Sequence, residues 1–262
     1  FLEGKFKLNN LRILKQFNGC CFADLDLKQQ GVIEDFQLLF YIIQPPTPER
    51  VKYDIFDRVN RGGTPLNKQE MRNALYRGRC TRMLDKLCCS PEFLIATGRS
   101  INKERMKDQY VVLRAIAFLM LHRGEFKDIP ALQYRGDIDD FLARFMVYVN
   151  DNAPEKLIVD YENLFIRCMQ ISYDLLGENG FRFSGNGIRR PINMPLFEAL
   201  SYLFSFVPEK IDYTWASRLI LDIESVKEEF DDSRYFSGNI DSTTSVSFRF
   251  DRMDKIINRI QL

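Results

Sequence analysis

From residue 81 onward the apolar side chains recur at the three- and four-residue spacing of helices that bury one face, and no other feature constrains the fold of this 262-residue chain so strongly. The spacing predicts helices over roughly residues 81–96, 103–122, 137–150, 154–177, 195–206 and 213–230, which together make a multi-helix bundle. The longest apolar run, residues 110–121, carries Arg114 and is too short to span a bilayer. It is therefore expected to be a buried helix of a protein with no membrane segment. Two polar stretches interrupt the pattern, Ser184-Gly-Asn-Gly-Ile-Arg-Arg-Pro191 and the Ser- and Thr-rich residues 237–245. Beyond the second, Val246, Phe248 and Phe250 alternate with Ser247 and Arg249, which predicts a strand before a last amphipathic helix with Met253, Ile256, Ile257 and Ile260. No repeat of solenoid period is present.

The first 80 residues read differently. Residues 5–8 suggest a short strand, residues 10–17 a short helix closed by Gly19, and the aromatic-rich run 36–43 a buried strand stopped by Pro45-Pro46. Thr47 with Pro48 then starts a helix whose Val51, Ile55, Phe56 and Val59 share one face, and Gly62-Gly63 ends it. Asn67, three residues before Glu70, opens a second helix with a capping box, and Met71, Ala74 and Leu75 supply its apolar face up to Gly78. The expected fold is thus mainly α, with a small α+β portion over residues 1–80 and a helical domain over residues 81–262. The opening Phe1-Leu-Glu-Gly4 resembles the tail of a helix ending at glycine, so a longer protein is expected.

The joint between the two capped helices holds most of the positive charge. Residues 50–82 contain nine basic side chains against three acidic ones, whereas the whole chain carries a net charge of only +1. Arg58 and Arg61 leave the first helix, Gly62 and Gly63 admit a close backbone approach, and the next helix begins with unpaired amides. These are parts of a phosphate site, since a guanidinium fork matches phosphate oxygens. The same residues also suit a plain helical hairpin whose arginines pair with Asp54, Asp57 and Glu70. A second basic cluster is Arg182, Arg189 and Arg190 near Asn186 and Asn193, although loop arginines are commonly solvated. The run Asp222, Glu224, Glu228, Glu229, Asp231 and Asp232 reads as an exposed face.

Conventional catalytic chemistry is scarce. The one histidine, His122, falls where a helix C-terminus is expected, so triad, multi-histidine and HNH-type centres have little to draw on. Six cysteines occur without a signal peptide or the paired spacing of a zinc site, which suits a reducing cytoplasm. Cys80, Cys88, Cys89 and His122 make a conceivable metal set, but buried or incidental thiols are the expected reading and no metal site is expected.

The stretch Phe56-Asp-Arg-Val-Asn-Arg-Gly-Gly-Thr-Pro-Leu-Asn-Lys-Gln-Glu-Met-Arg-Asn-Ala-Leu-Tyr76 resembles the N-terminal domain family of GmrSD-type restriction endonucleases, which has a ParB/sulfiredoxin-like domain. Gly4-Lys-Phe-Lys-Leu8, the short helix and the run 36–43 stand before it in the order that family uses. The resemblance covers the first 80 residues well and the remainder loosely, including Asn193-Met-Pro-Leu-Phe-Glu-Ala-Leu200. It implies a bacterial defence component that acts on foreign or modified DNA, with GTP or ATP and Mg as cofactors of the parent protein and a nuclease domain or subunit, or a second copy, as partner. It also implies that Arg58, Asn60, Arg61, Gly62, Gly63, Gln69, Arg72 and Asn73 contribute to a nucleotide or DNA phosphate site, with Glu70 capping a helix or ordering a catalytic water. The family's Asp-Gly-Gln-Gln-Arg motif, expected before the position of Phe1, is absent, as are its upstream Arg-rich segment and any HNH nuclease domain. These residues alone are accordingly expected to be inactive. A non-catalytic DNA-binding or protein-interaction module is the other reading.

Overall fold

A computed structural model describes residues 1–40, 42, 44, 49–60, 65–184, 189–208 and 212–260. Among them the chain is mainly helical, with eleven α-helices and no strand. It divides into two compact units, Phe1–Lys52 and Tyr53–Leu262.

The first unit is built from turns and one short helix, α1 (Leu27–Glu34), opened by a reciprocal capping box between Asp26 and Gln29. The strand expected at residues 5–8 is not formed. Only Leu8 joins a backbone exchange, donating to Cys20 and accepting from Gly19, whose φ of +88° turns the chain. The helix expected over residues 10–17 is reduced to a 3₁₀ turn at Lys15–Phe17. Asn10 takes a φ of 59°, and the Asn18 amide bonds both backbone groups of Leu11, so a side chain competes with the helical ladder. The run expected to be a buried strand is neither buried nor a strand at its described positions: Phe36, Leu38, Leu39, Phe40 and Ile42 are 66–80 % exposed. A continuous apolar run fits a strand covered on both faces, but a strand exists only where another backbone pairs with it. No described segment here does so. Pro45-Pro46 and the Thr47-Pro48 start lie outside the described residues.

Helix α2 (Glu49–Asn60) leaves Val51, Ile55 and Val59 exposed. The other helices of the larger unit are α3 (Lys68–Leu75), α4 (Arg79–Cys88), α5 (Pro91–Ala96), α6 (Lys107–His122), α7 (Ile138–Asp151), α8 (Glu155–Leu176), α9 (Met194–Phe204), α10 (Tyr213–Asp231) and α11 (Thr243–Ile260). Their starts are chemically marked: the side chains of Asn67, Ser90, Asp137, Asn193 and Asp212 each accept a backbone N–H of the first turn. Three expectations need correction. The helix expected over residues 81–96 is two, because Ser90 caps a new helix with Pro91 at its first position. The helix expected from residue 103 begins at Lys107, because Arg105 and Met106 adopt left-handed φ values of 57° and 58°. The strand expected at Val246, Phe248 and Phe250 is the first half of α11, whose Ser245, Val246, Arg249, Phe250, Met253, Ile256 and Ile257 are buried at helical spacing. Arg249 misled the alternation by facing inward.

The core surrounds α6, which is buried along residues 111–120 and packs against α4, α7, α8 and α9, while α9 also packs on α8 and α11. No helix among the described residues is long and apolar enough to cross a membrane. The α3–α4 corner is fixed by one amide: Asn150 donates to the Tyr76 carbonyl and accepts from Cys80 N (both 2.9 Å), while Arg79 donates to the carbonyls of Asn150 and Ala153. A Cβ on Gly78 would lie 2.5–2.9 Å from that amide. Gly78→Ala is therefore expected to cost about 1–3 kcal/mol, through overpacking of a site that cannot yield without losing its hydrogen bonds. Urea unfolding checks this, and an unchanged midpoint would show that the amide has room to move.

Candidate functional site

The residues expected to hold phosphate divide into two groups. Arg58 is exposed near the end of α2, Asn60 is that helix's last residue, and Arg61, Gly62, Gly63 and Thr64 lie outside the described residues. The α3 residues are described in full and are brought together.

Asn67 Oδ1 accepts from the backbone of Gln69 (2.8 Å) and Glu70 (2.9 Å), and Glu70 Oε2 accepts from Asn67 N at 2.6 Å. The capping box read from the sequence is therefore formed, and it fixes the helix start. Glu70 also pairs with Arg105 (3.0 Å), whose guanidinium reaches the Pro65 carbonyl. The bond from Arg105, then that from Asn67 N, lowers the Glu70 carboxyl below its ordinary value. A carboxylate so engaged suits capping rather than activation of water. Glu70→Gln retains the cap and loses only the partly exposed ion pair, so its expected cost is below about 1 kcal/mol by thermal unfolding.

Behind the cap a chain of side chains runs inward. Arg72, fully buried, donates through Nε to Gln69 Oε1 (3.0 Å) and through Nη1 to Asp139 Oδ1 (2.8 Å). Gln69 donates to Asn73 (2.8 Å), Asn73 to Gln109, and Gln109 to Asp85 (2.7 Å). Lys68 takes the other oxygen of Asp139. Burial raises the Asp139 carboxyl, and the bonds and charges of Lys68 and Arg72 more than offset this, leaving it below its ordinary value. The Arg72 guanidinium lies over Tyr110 (5.4 Å), and Arg114 lies over the same ring (5.5 Å). Arg72 Nη2 is buried without an acceptor.

The structure brings together Gln69, Arg72 and Asn73, which the sequence reading named, with Lys68, Asp139, Arg105 and Gln109, which it did not. Asp139 was legible only as one of three acids, Asp137, Asp139 and Asp140, at a helix start. As arranged, the α3 donors suit an anion. The same set is poorly suited to magnesium, because Glu70 and Asp139 already serve cations. Among the described residues, no three His, Cys, Asp or Glu side chains converge on a metal-sized position.

The second basic cluster is structural where it is described. Arg182 is buried and donates to the carbonyls of Thr97, Glu178 and Arg190 and to the Ser100 hydroxyl. Arg189 pairs with Glu178 (2.8 Å) and Arg190 with Asp231, while Asn193 caps α9 and Asn186 lies outside the described residues. The acidic run on α10 is likewise largely paired: Asp222 with Arg259, Glu224 with Lys227 and Glu229 with Arg252.

His122 ends α6 as expected, but it stacks on Phe250, with ring centroids 3.6 Å apart, and its Nε2 is shielded with no hydrogen-bond partner. Burial, aided by the nearby Arg249 charge, lowers its pKa to about 3, so the imidazole is neutral. Cys80, Cys88 and Cys168 are buried, and burial pushes their thiols up, Cys168 to about 12. None is an activated nucleophile.

A further set of charges lies in the core. Glu198 of α9 receives Arg114 of α6 on one oxygen and Arg249 of α11 on the other (2.6 Å), with all three side chains at most 2 % exposed. Arg114 also pairs with Asp241 (2.6 Å) and donates to the Tyr110 hydroxyl (3.0 Å), and Arg249 donates to the Ile240 carbonyl (2.7 Å). Two arginines and two carboxylates balance, which makes such burial tolerable.

No protein-family model matches the chain, and no curated protein or solved structure matches it significantly.

Proposed function

We propose that this chain is the phosphate-holding part of a GmrSD-type restriction protein of the bacterial cytoplasm, with a ParB/sulfiredoxin-like portion at its N-terminus. It contributes to nucleotide-dependent recognition or processing of foreign or modified DNA. The observation that carries this reading is the pair Lys68 and Arg72, two cations held side by side on one capped helix, within the stretch that resembles that family. Arg58 and Arg61 would hold further phosphate oxygens, with Gly62 and Gly63 admitting the phosphate. GTP or ATP would bind through its phosphates, and a nuclease domain or subunit would supply the cleavage chemistry that these residues lack.

The reading is tested by titrating the chain with GTP, ATP and a short DNA duplex while salt is varied. Replacing Arg58 and Arg61 together is expected to weaken binding more than about tenfold. Unchanged binding by a folded double variant overturns the assignment of those arginines. A steep fall with salt marks contact with several DNA phosphates, whereas a mononucleotide pocket responds mainly to the base and to Mg.

The second reading, a non-catalytic DNA-binding or protein-interaction module, is favoured by a different observation. Of the apolar side chains in Phe1–Lys52, Leu25 alone is buried among the described residues, while those of Phe36, Leu38, Leu39 and Phe40 face solvent. A surface of that composition suits association with another chain.

A further inference from the structure

The carboxylate between Lys68 and Arg72 leaves one donor of α3, Arg72 Nη2, without an acceptor. Asp139 offers two oxygens, one to Lys68 Nζ and one to Arg72 Nη1, and Arg72 Nη2 has no acceptor although it is buried. An orphaned donor on a buried guanidinium is costly, and one more acceptor at this point would relieve it. A terminal phosphate has three terminal oxygens and up to two negative charges, so it matches both guanidinium nitrogens and the ammonium where a carboxylate, with two oxygens and one charge, cannot. Arg72 lies one contact below the surface: its partner Asp139 has a side chain 25 % exposed, and Lys68, on the other oxygen of Asp139, one 67 % exposed. Gln69 on Nε and the Tyr110 ring against the guanidinium hold Arg72 in place. Asp139 stands on the first turn of α7, where its backbone is fixed by Asp137 but its side chain depends on the two cations.

We propose that Asp139 is an internal competitor for the anion that α3 is built to hold. It occupies Lys68 and Arg72 in the unliganded protein and gives way to a phosphate group, which Lys68 Nζ and both terminal nitrogens of Arg72 then grip. This rests on the phosphate-binding reading above and adds the mechanism that keeps the site closed. The phosphate is a terminal one, carried either by a nucleotide or by the 5′ end of a DNA strand, so a duplex probe carries a 5′ phosphate.

The test is calorimetric titration of the whole chain with inorganic phosphate, GTP and a short DNA duplex, using wild type, Asp139→Asn, Lys68→Gln and Asp139→Asn with Arg72→Met. Removing the competing charge is expected to tighten phosphate binding about tenfold, the worth of one charge-assisted hydrogen bond. The added Arg72→Met change should cancel the gain, and Lys68→Gln should weaken wild-type binding several-fold while lowering the melting temperature only slightly, as befits a partly exposed ion pair. A gain for GTP and inorganic phosphate marks a nucleotide site, and a gain for the duplex alone marks a nucleic-acid site. If wild type binds and neither Asp139→Asn nor Lys68→Gln changes the affinity, the competitor role is wrong, Lys68 is not part of the phosphate grip, and the double replacement of Arg58 and Arg61 then decides the phosphate reading. If no ligand binds to any variant, both fail. Should Asp139→Asn not fold by circular dichroism, the exposed Lys68→Gln variant decides, since unaltered affinity there removes the grip.

Discussion

Glutamine in place of Glu198 is expected to destabilise the protein by about 3–5 kcal/mol, a large share of what holds a domain together. The carboxylate is completely buried and carries one guanidinium on each oxygen. Its neutral amide keeps the shape but leaves Arg114 with the partly exposed Asp241, and Arg249 with a single carbonyl, Ile240. Arginine does not shed its proton at any working pH, so the uncompensated charge cannot be relieved by titration. Chemical denaturation measures the loss. The comparison that isolates the cause is the triple variant Arg114→Met, Glu198→Leu, Arg249→Met, which removes the buried charges together and should recover most of the stability. A single variant that unfolds at the wild-type midpoint would show that water already reaches the three groups.

His122 supplies the second large effect, through acid. Its folded pKa of about 3 lies far below the unfolded value of 6.5, so the unfolded chain binds the proton more readily. The stabilising contribution is fully present above pH 6.5 and is lost progressively as pH falls toward 3. Between pH 6.5 and 5 the loss amounts to about 2 kcal/mol, and the steepest slope is about 1.4 kcal/mol per pH unit. Glu70 and Asp139 act in the same direction but start from ordinary values of 4.5 and 3.8, so their windows lie lower. His122→Phe preserves an aromatic ring against Phe250 and removes the proton site. The unfolding midpoint of wild type should be clearly lower at pH 5.0 than at pH 6.5, and that of the variant should change much less. Parallel curves would mean that the imidazole is protonated in place.

Helices were read from the sequence where a capping residue and an apolar stripe agreed, as at Asn67 with Met71, or where the stripe was long, as over residues 154–177 and 213–230. Reading failed where a polar side chain did something non-local. Arg249 and Glu198 look like surface residues until each finds the other across 51 positions, and that pairing turned an expected strand into a helix. Short-range competition defeated it too, since Asn18 takes the backbone groups of Leu11 that a helix would need. For the candidate site, Asn67 and Glu70 were legible because a capping box has a fixed spacing, whereas Gln69, Arg72 and Asn73 came from the family resemblance and Lys68 was not singled out. Asp139 was not legible, because it lies 67 residues from Arg72 and nothing local marks it as a counter-ion.

The order in which the polypeptide is made bears on the buried charges. Arg114 and Glu198 leave the ribosome before Arg249, which follows Glu198 by 51 residues. At ordinary rates of synthesis that interval is roughly 3–10 s, far longer than helices need to form and collapse. For those seconds Glu198 has one guanidinium instead of two, and the groove on α9 that α11 will fill stands open to other chains emerging nearby. The interval between the synthesis of α9 and that of α11 is therefore a period when a nascent chain of this protein is exposed to mispairing, and when a chaperone that shields α9 would raise the yield of folded molecules.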